Sequence, residues 1–165
     1  VYCVQEPELP LLLSKSTNLF KLFLSDVGLL ASMYVDGLQL KILSREKDIN
    51  FGAIYENVAA QELKAHGFEL YYFNSKKQGE LDFVIEYKGN VLPLEIKSGK
   101  AYTRHNALDN VLKDERYAIP QAFVFCNKNI STQEKIAYLP IYMIGFLEKE
   151  KIEEYIYSID LSALQ

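Results

Sequence analysis

Between Gly79 and Lys100, apolar and polar positions alternate on either side of a short break. Leu81, Phe83 and Ile85 precede the break, and Leu92, Leu94 and Ile96 follow it. A period of two predicts strands over 80–87 and 91–98, joined by a Lys88-Gly89 hairpin turn. The six apolar residues are expected on one face. With a two-residue loop, Tyr87 pairs with Asn90, and counting outward sets Asp82 opposite Glu95. Glu95 and Lys97 stand two apart and therefore project to the same side. A three-residue loop would instead set Asp82 opposite Ile96. The other positions of the charged face, Val84, Val91 and Pro93, are apolar, so both faces are expected to be covered.

Elsewhere a helix is predicted from roughly Asn50 to His66, stopped by Gly67. Strands follow at 69–74, at 121–127 and, shorter, at 135–140. Helices are read over 105–117 and over 141–156, the latter with a break at Gly145. Residues 1–10 read as a short strand or extended lead-in and 18–26 as a strand. A helix over 26–37 has Asp26 as N-cap and Gly37 past its end, and 38–50 is a connecting segment. From residue 50 the order is helix, three strands, helix, strand, which predicts an α/β domain with a mixed sheet flanked by helices. On the helix at 50–66, Glu56 has Gly52, Ala53, Ala59 and Ala60 as its i±3 and i±4 neighbours. This stripe of small residues is expected to lie on the charged face of the hairpin and bring Glu56 to it.

The chain has 165 residues, 49% apolar and 24% charged, the size of one domain or one domain with an appendage. A net charge of −4 argues against a broad basic surface for nonspecific nucleic-acid binding. It leaves room for a local patch. Lys76, Lys77, Lys100 and Arg104 flank the strand ends, either as phosphate contacts or as ordinary lysine-rich loops. Cys3 and Cys126 have no metal-ligand spacing and suggest no disulfide framework, which fits a reducing, cytoplasmic compartment. No apolar run reaches membrane-spanning length, so no membrane partner is expected. The start at Val1, with no signal-peptide pattern, reads as a piece of a longer polypeptide. There is no P-loop, GxSxG or HExxH motif.

Two readings stand for Asp82, Glu95 and Lys97. They mark a solvated sheet face, or they are two hard carboxylate ligands for a divalent cation with an ammonium beside it. Glu56 is a third carboxylate for that cation or an edge acid paired with Lys64 or water. Glu80, one pleat outward from Asp82, reads as a rim charge. His66 reads as a helix C-terminal residue, His105 as a cap or surface residue, and Cys126 as core.

Glu56 on a helix, Asp82 on one strand and Glu95-Ile96-Lys97 on the next resemble the PD-(D/E)XK restriction-endonuclease-like superfamily. The longer stretches KLFLSDVGLLA (21–31), GAIYENVAAQEL (52–63), YYFNSKKQGELDFVIE (71–86) and LPLEIKSGK (92–100) resemble a C-terminal domain of unknown function. Many bacterial and archaeal AAA+ ATPases carry that domain. The resemblance covers roughly Leu19 to Val111. It implies a restriction-endonuclease-like core in αβββαβ order within 19–165, with 1–18 as the tail of a linker. A P-loop ATPase and a winged-helix segment would precede it, so ATP would enter only there and the AAA+ domain would be a partner in cis. It also implies Mg²⁺ or Mn²⁺ held by Glu56, Asp82, Glu95 and the Ile96 carbonyl. Lys97, Asp82 and Glu95 would be catalytic in phosphodiester hydrolysis, with DNA as substrate. Leu81 stands where the superfamily's name-giving proline would be. The alternative is a noncatalytic interaction or regulatory module that retains a nuclease-like fold. Oligomeric state is not read from the sequence.

Overall fold

The computed structural model describes residues 1–34, 37–44 and 51–150. In chain order the elements are β1 (Tyr2–Val4), β2 (Lys15–Phe20), α1 (Val27–Ser32), α2 (Leu38–Leu43), α3 (Gly52–Ala65), β3 (Tyr71–Ser75), β4 (Gly79–Tyr87), β5 (Asn90–Lys97), α4 (Asn106–Lys113), β6 (Ala122–Cys126), β7 (Ser131–Gln133) and β8 (Ile136–Pro140). The strands form one mixed sheet in the order β2-β1-β3-β4-β5-β6-β8-β7. Helices flank both of its faces. β1 lies parallel to β3, so residues 2–4 of the expected linker tail hold a place in the sheet, and Val4 and Leu11 are buried in its core.

The hairpin β4–β5 occupies the middle of this sheet. Lys88 and Gly89 both have positive φ, 50° and 70°, as a type I′ turn requires, and Tyr87 pairs with Asn90. The register runs back regularly to Phe83–Leu94. On its other side β4 carries a β-bulge. Tyr71 faces Val84 while Phe73 faces Leu81, so Asp82 and Phe83 together oppose Tyr72. The extra residue reverses the alternation. Leu81 joins Val84 in the core under α4, whereas Phe83 and Ile85 join Leu92, Leu94 and Ile96 in the core under α3. The expectation that Leu81, Phe83 and Ile85 share a face is thus corrected by the bulge.

A second correction concerns α3. Its Ala59, Ala60 and Leu63 pack in the core with Leu92, Leu94 and Ile96. Glu95 and Lys97 stand in register with Val124 and Cys126, which belong to the opposite core. The helix therefore covers the apolar face of the hairpin, not the charged one, because burying Leu63 against leucine and isoleucine removes more apolar area from water. Ala53 of the small-residue stripe is exposed.

Other boundaries shift for local reasons. The strand read at 18–26 ends at Phe20, because the backbone of Leu24 leaves the sheet for the Asn57 side chain. Asn57 Oδ1 accepts from Leu24 N–H at 2.8 Å, and Asn57 Nδ2 donates to Leu24 O at 3.0 Å. Asp26 does cap α1, its Oδ1 accepting from Leu29 N–H, but the helix ends at Ser32. The connecting segment contains α2, and residues 35–36 and 45–50 lie outside the described residues. The helix read at 105–117 breaks at Asp114, which is extended and caps a 3₁₀ turn at Glu115–Tyr117. After Pro140 the chain forms a 3₁₀ helix at Ile141–Phe146 in place of the expected α-helix, whose remainder past 150 lies outside the described residues.

Candidate active site at a strand fork

Past Phe83 and Leu94 the ladder between β4 and β5 stops. β4 stays with β3 as far as Gly79, and β5 turns to β6, pairing Glu95 with Val124 and Lys97 with Cys126. The two strands fork. Inside the fork Asp82 Oδ2 accepts from the Ile96 backbone N–H at 2.8 Å, so a carboxylate takes the place of a strand partner. Bulge and fork together aim Asp82 at β5, where the turn register had set it opposite Glu95.

Glu95 is 2% exposed. Its Oε2 meets Lys97 Nζ at 2.6 Å, and its Oε1 is buried without a hydrogen-bond partner. Burial, and then the neighbouring Asp82 carboxylate, push the Glu95 carboxyl up to about 7, against the pull of Lys97. Burial alone would lower Lys97, but the carboxylates of Glu95, Asp82 and Glu56 outweigh it and hold the ammonium above its ordinary value.

Glu56 is half-buried on the first half of α3. Burial raises its carboxyl, Asp82 and Glu80 add to that rise, and Lys21 and Lys97 oppose it. Glu56 therefore shares the field of the fork although α3 covers the other face. Tyr55, beside it on the same helical turn, meets Asn127 beyond β6. The pairing with Lys64 does not form, since Lys64 binds Glu69 at 2.9 Å. Glu80 is exposed at the rim and pairs with Lys21 Nζ at 2.5 Å. Lys21, which also lies over the Tyr72 ring, is a second cation of the site that sequence reasoning missed. No spacing signal links it to the hairpin, because β1 and the Asn57 clamp bring it there.

Asp82 and Glu95 carry hard oxygen donors, and Glu95 Oε1 has no hydrogen-bond partner. Among the described residues no group of three or more His, Cys, Asp or Glu is drawn close enough to hold a metal ion. The donor chemistry thus fits a divalent cation at two carboxylates, and a third protein carboxylate is not assembled in this arrangement.

The remaining sequence candidates lie apart from that chemistry. Lys76, Lys77, Lys100 and Arg104 are exposed. His105 is the N-cap residue of α4, as one of its two readings had it, and is buried, not at the surface. Its Nδ1 pairs with the Asp109 carboxylate at 3.0 Å, and its Nε2 shares a hydrogen bond with the Tyr138 hydroxyl at 2.7 Å. His66 ends α3 and donates from Nδ1 to the Leu147 carbonyl at 2.6 Å. Cys3 and Cys126 are free and buried. No helix among the described residues is long and apolar enough to cross a membrane.

The fold defines a mixed α/β domain, an eight-stranded sheet flanked by helices with its charged cluster at a central fork. Residues 51–144, more than half of the chain and including all of the fork, match the family described as Domain of unknown function (DUF4143), and the chain belongs to that family. No curated protein and no solved structure matches the chain.

Proposed function

We propose that the fork is a metal-dependent phosphodiester hydrolase site on a restriction-endonuclease-like core, with DNA as substrate and an AAA+ ATPase domain as partner in cis. One observation carries the reading: a buried glutamate with an unpartnered oxygen beside a second carboxylate, compensated by a single lysine. Two carboxylates against one ammonium leave uncompensated negative charge in a dry setting, which is costly as structure alone. It is what a divalent cation would reverse. Asp82 and Glu95 would hold Mg²⁺ or Mn²⁺, with the Ile96 carbonyl and Glu56 completing the shell. When bound, the ion would polarise a phosphate oxygen and acidify a water. Lys97, kept protonated by its carboxylate neighbours, is suited to stabilise negative charge on the phosphate and ill suited to act as a base. Asp82 and its Ile96 N–H bond fix the fork, and Lys21 balances the outer acids.

The lack of a three-acid cluster among the described residues favours a second reading, a noncatalytic interaction or regulatory module that keeps the fork as structure. Calorimetric titration with Mn²⁺ and hydrolysis of labelled DNA, wild type beside Lys97→Ala, separate the two. Saturable binding with Lys97-dependent cleavage supports the hydrolase. A wild type that neither binds Mn²⁺ nor cleaves leaves the module.

A further inference from the structure

Two lysines stand at the fork, and their partners differ. Lys97 meets Glu95, which is buried and has one oxygen free of hydrogen bonds. Lys21 meets Glu80 Oε1 at 2.5 Å, and the side chains of that pair are 24% and 42% exposed. Both ammoniums oppose the rise of the Glu56 carboxyl, so two cations from different elements act on one acid.

Lys21 is held in place by the protein alone. Its backbone N–H donates to the Val1 carbonyl at 2.8 Å, and its carbonyl accepts from the Val1 nitrogen at 3.0 Å. Three residues on, the Asn57 side chain clamps Leu24. Lys21 Nζ lies 4.9 Å from the centre of the Tyr72 ring, which steadies the side chain. Glu80 is oriented as well, because its other oxygen accepts from Asn74 Nδ2 at 2.9 Å. It stands two residues before Asp82 on β4, about 7 Å along the strand. A carboxylate that accepts from an ammonium occupies the position a phosphate oxygen takes. The two pairs differ in how readily that exchange occurs. Lys97 cannot leave Glu95 without stranding a buried carboxylate. Lys21 can leave Glu80, since water and salt take over an acid at the rim.

We propose that Lys21 is a second phosphate-binding residue of the fork. It takes the DNA phosphate next to the one that Lys97 faces, and in the free protein Glu80 holds its ammonium as a stand-in for that phosphate. This rests on the reading of the fork as a DNA hydrolase site, and it adds the path of the strand, outward along β4 from Asp82 to Glu80. Binding exchanges one ion pair for another, so Glu80 weakens DNA binding through Lys21.

Anisotropy of a short labelled DNA duplex, titrated with the protein at several salt concentrations, reads this exchange. Ca²⁺ replaces Mn²⁺ so that the duplex stays intact. Lys21→Met keeps the stem over Tyr72 and removes the charge. It is expected to weaken binding about threefold to tenfold and to reduce the salt slope by about one, while Lys21→Arg stays near wild type. Glu80→Gln leaves Lys21 in place and is expected to tighten binding about threefold, a gain that disappears when Lys21→Met is also present. Glu80→Gln needs no change at Lys21, and it overturns the proposal by itself if it binds no tighter than wild type. A gain of the same size with and without Lys21 is long-range repulsion and overturns it too. If a folded Lys21→Met binds as wild type does while Lys97→Ala loses affinity, the role of Lys21 falls and the DNA reading of the fork stands. A wild type that binds no DNA removes both.

Discussion

Two acid–cation pairs in this protein have the same spacing and opposite electrostatics. Glu95 and Lys97 meet at 2.6 Å, and Asp114 and Arg116 at 2.7 Å, in each case with one residue between them. Asp114 is half-buried and collects donors: Arg116 Nε at 2.9 Å, the Arg116 backbone N–H and Gln78 Nε2 at 2.8 Å in addition to the guanidinium contact. The Arg116 guanidinium above all holds its carboxyl down at about 2. Glu95 has one donor, a bare second oxygen and a carboxylate neighbour, and its carboxyl rises to about 7. A cation at contact distance does not by itself decide the sign. The balance of desolvation against the full set of donors does. Asp114 is satisfied by the protein; Glu95 is left needing a partner.

The largest expected effect tests what that partner serves. If the fork is a hydrolase, Lys97→Ala lowers Mn²⁺-dependent DNA hydrolysis on the order of 10²–10⁴-fold, read as initial cleavage rates. Arg116→Ala, the matching change in the satisfied pair, leaves the rate unchanged. Equal rates for wild type and Lys97→Ala would detach the lysine from any chemistry.

Next comes stability. The Glu95 carboxyl is raised in the folded state from 4.5 to about 7, so the native protein binds more protons than the unfolded chain in that window. Metal-free wild type therefore loses stability as pH rises from about 4.5 through about 7. The loss is on the order of 3 kcal/mol, because each tenfold difference in proton affinity between the folded and unfolded chain is worth about 1.4 kcal/mol. Glu95→Gln removes this slope, so urea melts in EDTA should find it closer to or above wild type at pH 8 than at pH 4. A wild type with a flat profile across that range would show that Lys97 already satisfies Glu95.

Asp82→Asn is a smaller perturbation. The amide oxygen can still accept from Ile96 N–H, while one negative charge leaves the fork. The metal-free variant is expected to be as stable as wild type or slightly more so, within about 1 kcal/mol, and to lose any rise in Tm that millimolar Mn²⁺ gives wild type. A clearly destabilised variant beside a metal-insensitive wild type would make the fork a structural ion-pair network.

The smallest effect belongs to the satisfied pair. The lowered Asp114 carboxyl contributes stability above its unfolded value of 3.8 that disappears as pH falls through about 2. Asp114→Asn should lower stability by a constant amount across pH 5–8, without changing the slope there, and converge with wild type as pH falls towards about 2. An equal loss at pH 2 and at pH 7 would contradict the assignment.

The hairpin was legible because its signals are local. Two residues of turn chemistry at Lys88-Gly89 set the register, and a period of two places Glu95 and Lys97 on one face. Gly67, with φ of 81°, and Asp26 marked helix ends for the same reason. Less legible were elements whose shape depends on a distant side chain, such as β2, which stops where Asn57 captures Leu24. Nor does the pattern reveal the bulge at Asp82–Phe83. One extra residue in an alternating run costs the sequence nothing visible, yet it sends Leu81 and Phe83 to opposite cores.

The sequence by itself determined which residues could carry charge chemistry and the order of helices and strands that holds them. It set Glu95 beside Lys97, since backbone geometry alone enforces that neighbourhood. Tertiary structure decided the rest. It chose the face that α3 covers, because packing rewards the most apolar partner surface and disregards where an acid is wanted. It brought Lys21 to Glu80 from far upstream. By splaying β4 from β5 it drew Asp82 onto the Ile96 N–H and left Glu95 Oε1 without a partner. Whether a carboxylate is solvated, paired or bare depends on every element that closes around it, and no spacing along a chain encodes that.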